Sequence, residues 1–477
     1  MYDRMQTFSP EQLEKIHAAS MDILSKTGVA FNDEPAIELF REKGYRVEKN
    51  TVFFTEEQLR AALDTAPESF TIHARNPEHN LNVGGDDFLF LPAYGAPFIA
   101  DPDGTQRVGT MADYNNFCRL VQTSPHLDMN AYLMIDPGDV PPETQGLDMV
   151  LSNLIYSDKA FMGCQTNREI AKDLVEMLAI AFCDGDKEKL KEKCYSVSLI
   201  NSLTPLQFSD EMAGALMETA AAGQAVIVAN MAIGGTSAPV TLGGMMALIN
   251  AEVLAGIVLA QLVNPGTPVI YGSTSTATNF KTGAAAVGVP EQAALVSATA
   301  QMARYYKLPC RSGGGLNDAH ITDAQAAYEA AMMLMTTVRN GVNFIVHSCG
   351  MMGGHIAMSY EKFLMDEEFC GMLRKLMKPA DLAEDVLDLE VKAVEEAGIG
   401  GQFLTQPRTF QLCRSEYFQP DLFSHDSHDA WSRKGAQTMS ERAEQKLKER
   451  LDAYVEPEMD PEVRAALEAY VEKRKAE

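Results

Sequence analysis

From residue 88 to 377, eight short apolar runs read as strands, and helical stretches follow most of them. This alternation constrains the chain more than any other feature. The expected strands are 88–98, 127–135, 160–165, 195–201, 225–231, 268–273, 308–311 and 343–347. Most are continuous apolar runs, as strands buried on both faces must be. Helices are expected at 168–183, 210–222, 242–263, 290–306, 323–339 and 358–377. Several have clear end signals: Ser209 before one, Gly223 after it, and Asn264-Pro265-Gly266 closing another. Eight strands with helices between them over roughly 290 residues match a (β/α)8 TIM barrel of the α/β class. A doubly wound open sheet is the alternative. It usually has fewer strands and a nucleotide-binding turn after its first strand. Here the first strand instead ends near Gly95-Ala96-Pro97.

The flanks divide the chain into three parts. Residues 1–85 read as a helical cap region, 86–395 as the barrel that carries the chemistry, and 396–477 as an irregular segment with helices packing on the barrel. Ser9-Pro10-Glu11-Gln12 and Thr55-Glu56-Glu57-Gln58 both have capping-box spacing. The last two helices are highly charged and read as solvated surface or contacts of a homo-oligomer.

Composition narrows the function. A net charge of −26 argues against nucleic acid or an anionic membrane surface as partner. The eight cysteines form no C-x-x-C pair and suit reduced, buried thiols of a cytoplasmic protein. No apolar run follows Met1, so no secretory leader is expected. The most apolar segment, 244–263, is interrupted by Asn250, Glu252 and Gln261, and reads as a buried helix rather than a membrane span.

A barrel places its chemistry at the C-terminal ends of its strands. Those positions hold Tyr94, Asp136, Gln165, Asn201, Asn230 with Met231, Ser273 with Thr274, Arg311 and His347. Arg311 opens a glycine-rich loop, Ser312-Gly313-Gly314-Gly315-Leu316-Asn317-Asp318, with a helix start signalled at Thr322 by its spacing to Gln325. Gly313, Gly314 and Gly315 allow positive φ and close approach of a ligand to the backbone. The set lacks a first-strand His-x-His, a strand-end lysine, a G-x-S-x-G elbow and a P-loop lysine. What remains suits a binding pocket. Arg311 and His347 are there for an anion, and Tyr94, Phe98, Phe208 and Tyr271 for a cation. Other readings stay open: Arg311 as an ion-pair partner of Asp318 or Asp323, His347 as a core histidine, and the aromatics as packing. His425-Asp426-Ser427-His428 is a weak candidate for metal.

The loop Cys310-Arg311-Ser312-Gly313-Gly314-Gly315-Leu316-Asn317-Asp318-Ala319, running on to Asp323-Ala324-Gln325-Ala326-Ala327-Tyr328-Glu329, resembles the trimethylamine methyltransferase superfamily. So do Tyr94-Gly95-Ala96-Pro97, Gly401-Gln402-Phe403-Leu404 and Trp431. The resemblance implies a barrel that moves a methyl group from a methylated amine to the Co(I) corrinoid of a separate protein, with no cofactor or metal bound by this chain itself. Members acting on trimethylamine carry pyrrolysine. This sequence has none, which makes it similar to the branch that uses zwitterionic quaternary amines such as glycine betaine, proline betaine or carnitine. The resemblance assigns Arg311 and His347 to the substrate carboxylate, Tyr94 to the ammonium, and Asn201 and Phe344 to the pocket. Strand alternation places Phe344 on the face opposite His347. The competing readings are a metal-dependent barrel hydrolase using His347, Asp318 and the His425/His428 region, and a betaine-binding protein without catalysis.

Overall fold

The protein is described by a computed structural model covering residues 4–163 and 166–477. Met1–Asp3, Cys164 and the strand-end candidate Gln165 lie outside the described residues. All eight expected strands are present: β1 Leu89–Pro92, β2 Met129–Asn130, β3 Ala160–Met162, β4 Ser196–Asn201, β5 Ala225–Ala229, β6 Val269–Gly272, β7 Cys310–Arg311 and β8 Phe344–Cys349. They form one parallel sheet in the order β1-β8-β7-β6-β5-β4-β3-β2. Two backbone bonds and one to a side chain close the remaining seam between β1 and β2. Asp128 N–H donates to Phe90 O at 3.0 Å while its Oδ2 accepts from Phe90 N–H at 2.7 Å, and further along Gly95 N–H reaches Leu133 O at 2.7 Å. The sheet is a (β/α)8 barrel.

Each strand is followed by a helix: α1 Met111–Gln122, α2 Gln145–Tyr156, α3 Arg168–Cys183, α4 Asp210–Ala221, α5 Leu242–Val263, α6 Pro290–Tyr305, α7 Ala324–Arg339 and α8 Tyr360–Met377. The first two were not expected from sequence, although Thr110 and Asp113 form a reciprocal cap at the start of α1. The start of α7 is also shifted. Asp323, not Thr322, is its N-cap, accepting from the N–H groups of Gln325 and Ala326.

Helix α5 is apolar and long enough to cross a membrane, yet 89% of its most apolar window is buried inside the protein. The N-terminal region explains this burial, because its helices Pro10–Lys26 and Glu56–Leu63 pack on the outer side of α5. The polar residues along α5 are all bonded. Asn250 donates to Ser20 and Tyr306 and accepts from Tyr271, while Gln261 donates to Thr267 O. A buried amide left without partners would cost about 1–3 kcal/mol, so these bonds are what allows a polar group on a fully buried helix.

The sequence suggested a helical cap for residues 1–85, but this region also holds strands. Strands Val29–Phe31, Arg46–Glu48 and Thr51–Phe53 form a sheet completed by Gln207–Phe208 from the barrel, and Ser69–Ile72 pairs with Leu81–Gly84. These strands are three or four residues long, too short to show a period-two pattern. At the other end, helices Glu384–Ala397, Pro407–Glu416 and His428–Arg433 occupy the stretch between α8 and the last two helices. Those two, Met439–Asp452 and Pro461–Ala476, dock on the barrel through buried Ala443, Leu467 and Val471 and through the ion pairs Arg450–Glu367 and Arg474–Asp173.

Candidate functional site at the barrel mouth

The inward face of the sheet follows from two contacts. A Cβ on Gly272 would lie 2.8 Å from Ala229 Cβ and 2.9 Å from Ile227 Cγ2, whereas Val228 points outward, against Gly256 of α5. Residues paired side by side in a parallel sheet share a face. Arg311 is in register with Gly272 on one side and Phe344 on the other, so its side chain enters the barrel over a position that has no side chain.

Arg311 is 2% exposed. Its Nη1 donates to Thr274 Oγ1 at 3.2 Å, its Nη2 lies 3.2 Å from His347 Nε2, and its Nε is buried without a partner. The sequence offered Asp318 or Asp323 as counter-ions. Asp318 instead accepts from Val287 N–H and Asp323 caps α7, and among the described residues no carboxylate pairs with Arg311. Burial lowers the guanidinium to about 10, so it remains charged at neutral pH.

His347 reaches the arginine because β8 is irregular. The register of β8 against β1 shifts between Ile345 and Cys349, and His347 has φ of 65°. Alternation therefore fails in this segment, and the expected opposition of Phe344 and His347 does not hold. Phe344 shares the inward face with Arg311 by register and is fully buried beside it. Burial, then His355 and Arg311, hold the His347 imidazole well below its ordinary value, so it is neutral. A neutral imidazole has one donor and one acceptor nitrogen. Nδ1 lies 3.2 Å from Tyr94 N–H and accepts from it. The proton then sits on Nε2, facing an arginine N–H. Two donors thus stand 3.2 Å apart with no acceptor between them.

His355 is the residue that sequence reasoning missed. Its ring meets that of His347 edge-on, with centroids 4.8 Å apart, and its Nε2 is buried without a partner. It sits on a hairpin after β8, Met351–Met352 with Ala357–Met358, which pairs with Phe98–Ala100 beyond β1. The only sequence signal was the pair Gly353-Gly354 before it. Tyr94 completes the cluster: its ring centroid is 6.4 Å from those of both His347 and Tyr132.

The other candidates separate. Asn201 shares the inward face through Ala229, but three strands from Arg311, about 14 Å along the sheet, and is solvent-exposed. Tyr271 points outward and donates to Asn250 of α5, and Phe208 stacks on Phe31 in the N-terminal region. Phe98 packs in a small cluster with Ala319, Ala326, Met352 and Ala357. Asn230 is held by Glu252. The three glycines serve packing: a Cβ at Gly313 would lie 1.8 Å from Thr337 Oγ1, at Gly314 2.4 Å from Val346 O, and at Gly315 2.8 Å from Ser348 O. They press the loop onto α7 and β8 and so fix Arg311 against His347.

Among the described residues no three His, Cys, Asp or Glu side chains converge as a metal set. His425 and His428 are exposed, and Asp426 is paired with Lys434.

Comparison with known proteins places this geometry in context. Residues 1–477 match the family described as trimethylamine methyltransferase (MTTB). A glycine betaine methyltransferase of Desulfitobacterium hafniense (strain Y51) is 46% identical over 464 residues, covering 97% of this chain and 96% of that protein. A proline betaine:corrinoid methyltransferase of Eubacterium limosum is 30% identical over 479 residues, covering 97% and 96%. A trimethylamine methyltransferase MttB of Methanosarcina barkeri (strain Fusaro / DSM 804) is 29% identical over 477 residues, covering 98% and 94%. Among solved structures, the Methanosarcina barkeri monomethylamine methyltransferase (MtmB) superposes with a TM-score of 0.53 over 95% of this chain and 90% of that one. At 11% identity that likeness is one of fold.

Proposed function

The chain belongs to the trimethylamine methyltransferase family, and from that premise we propose that it moves a methyl group from a zwitterionic quaternary amine to the Co(I) of a corrinoid carried by a separate protein. One observation carries the substrate class. Arg311 is buried and charged, has no carboxylate partner among the described residues, and faces a second donor on His347. A buried charge without a partner is strongly unfavourable, so a site built this way is made for an anion that arrives with the ligand. A trimethylamine has no anion to offer; a betaine does.

The chemistry suits a site that holds no acid–base pair. The Co(I) lone pair attacks the methyl carbon, the C–N bond breaks, and its electrons stay on nitrogen. The quaternary nitrogen already carries the positive charge, so the leaving group is a neutral tertiary amine and no proton is needed. Catalysis is then positioning. Arg311 and His347 hold the carboxylate, Tyr94 faces the ammonium, and Phe344 and Asn201 bound the space at greater distance. Cation–aromatic contacts of this kind contribute about 0.5–2 kcal/mol each. Glycine betaine is the substrate favoured within the class, given the relative of that name.

The same reading includes a cytoplasmic homo-oligomer. The buried, unpaired thiols suit the first. Exposed Leu387, Val391, Val394, Leu404 and Phe410, on the segment around helices Glu384–Ala397 and Pro407–Glu416, suit the second.

The test is spectroscopic. A corrinoid protein held as Co(I) is mixed with this protein, betaines are added singly, and conversion to methyl-Co(III) is followed. Methylation with a betaine is expected. Silence across glycine betaine, proline betaine and carnitine, with an active control enzyme, overturns the reading.

A further inference from the structure

We propose that His355 is a third recognition group for the substrate carboxylate, delivered by its hairpin to the oxygen that Arg311 and His347 leave unbound. The inference rests on the betaine reading above and assigns a role to a residue outside the strands.

Three observations carry it. First, the position is right: the His355 ring is edge-on to His347, 4.8 Å between centroids, on the same cluster as Arg311. Its Nε2 is buried and has no partner, as is Arg311 Nε. A buried polar atom with no bond is rare enough to need an explanation, and an absent ligand supplies one for both at once. Second, the backbone is held in an unfavourable shape to put the ring there. Gly353, Gly354 and His355 have φ of 60°, 67° and 73°, three left-handed residues in succession. Glycine adopts this region freely and histidine does not. His347 is left-handed too, at 65°. Strained residues persist where the surroundings enforce them, and here two of the strained side chains meet at one point. Third, the enforcement is visible. Gly353 N–H donates to Ala319 O at 2.9 Å, Gly354 N–H to Asn317 O at 3.0 Å, and Asn317 Nδ2 to Met351 O at 2.6 Å. The loop that begins at Arg311 thus clamps the hairpin that carries His355, so arginine and histidine are positioned by one piece of chain.

A carboxylate has about four acceptor sites over two oxygens. Arg311 and His347 converge on one side of that space. His355 supplies an N–H from the hairpin side, so the carboxylate is recognised by groups on β7, β8 and the hairpin together.

The experiment is calorimetric binding of glycine betaine, choline and acetate to the wild type, His355→Gln and His355→Phe, with methyl transfer measured in parallel. Choline keeps the trimethylammonium and lacks the carboxylate. We expect His355→Phe to weaken betaine binding by about tenfold or more, the loss of one hydrogen bond to a charged group, and choline binding by less than twofold. His355→Gln retains a donor and recovers part of the betaine affinity. KM for betaine rises while kcat changes little, a split that general loosening of the hairpin would not produce. Equal weakening of betaine and choline, or no change in either variant, overturns the proposal. Wild type that transfers no methyl but binds acetate in a His355-dependent way keeps the anion site and removes the methyltransferase reading. Normal methyl transfer in both variants at unchanged KM does the reverse.

Discussion

The backbone N–H of Tyr94 donates to Nδ1 of His347 at 3.2 Å, and this bond ties the chain leaving β1 to the irregular part of β8. It fixes the plane of the imidazole and leaves Nε2 as the nitrogen that faces Arg311. The geometry of the Arg311–His347 cluster therefore depends on the joint between first and last strands of the barrel, not on one loop.

Arg311→Ala is expected to raise KM for glycine betaine about 30-fold, corresponding to about 2 kcal/mol for lost charge-assisted bonds, and to change choline binding little. Arg311→Lys recovers only part, because a single ammonium cannot reproduce the planar fork. Steady-state methyl transfer from glycine betaine and calorimetric binding of choline are the measurements. Equal losses for betaine and choline would remove the carboxylate clamp.

Acid should destabilise the protein through its two site histidines. Both have folded values below the ordinary one: His347 well below it, and His355 lowered to about 4, by burial first and the Arg311 charge after it. The unfolded chain therefore binds these protons first. Stability is full above about pH 6.5 and falls as pH drops, by up to about 1.4 kcal/mol per unit for each such group. For His355 the loss ends near pH 4. Melting curves from pH 7 to pH 4 should be steeper for the wild type than for His355→Gln. Parallel curves would mean that His355 titrates normally.

Gly313→Ala should destabilise the fold by about 3 kcal/mol, from a left-handed backbone at φ 67° and a Cβ placed 1.8 Å from Thr337 Oγ1. Thr337→Ala in the same chain removes the closest contacts, leaving the Thr337 Cβ at 2.9 Å and the backbone penalty, so the double variant should be more stable than additivity allows. Urea denaturation of the four proteins gives the coupling. Strict additivity would mean that the loop moves away from α7.

The barrel was legible because its strands are continuous apolar runs separated by capped helices, a pattern that local chemistry sets. That Arg311 and His347 would meet was legible for a related reason: both stand at strand C-terminal ends, which converge at the mouth of a barrel. The failures are non-local. His355 lies on a hairpin whose position depends on bonds to Asn317 and Ala319, and no periodicity announces it. Tyr271 and Phe208 were expected at the mouth because of their residue type, but pairing parity turns the first outward and the second serves the N-terminal sheet. The irregular register of β8 reversed the expected separation of Phe344 and His347, and a bulge has no single-sequence signature.

Glu252 on α5 tests how far the rim depends on a single buried carboxylate. It is fully buried, and its oxygens accept from Ser202 Oγ at 2.6 Å, Thr204 Oγ1 at 2.9 Å, Leu206 N–H at 2.7 Å and Asn230 Nδ2 at 2.9 Å. The donors come from the turns that follow β4 and β5, so one side chain fastens both turns to the helix beneath them. Glu252→Gln keeps the volume but turns one acceptor into an N–H₂ facing donors, leaving at least one of them unsatisfied. The cost should be about 2 kcal/mol, close to that of an orphaned buried polar group. Because Arg311 and His347 stand on β7 and β8, betaine KM should stay within a few-fold of wild type while the melting temperature falls. A large rise in KM at unchanged stability would show instead that the β4 and β5 turns reach the substrate.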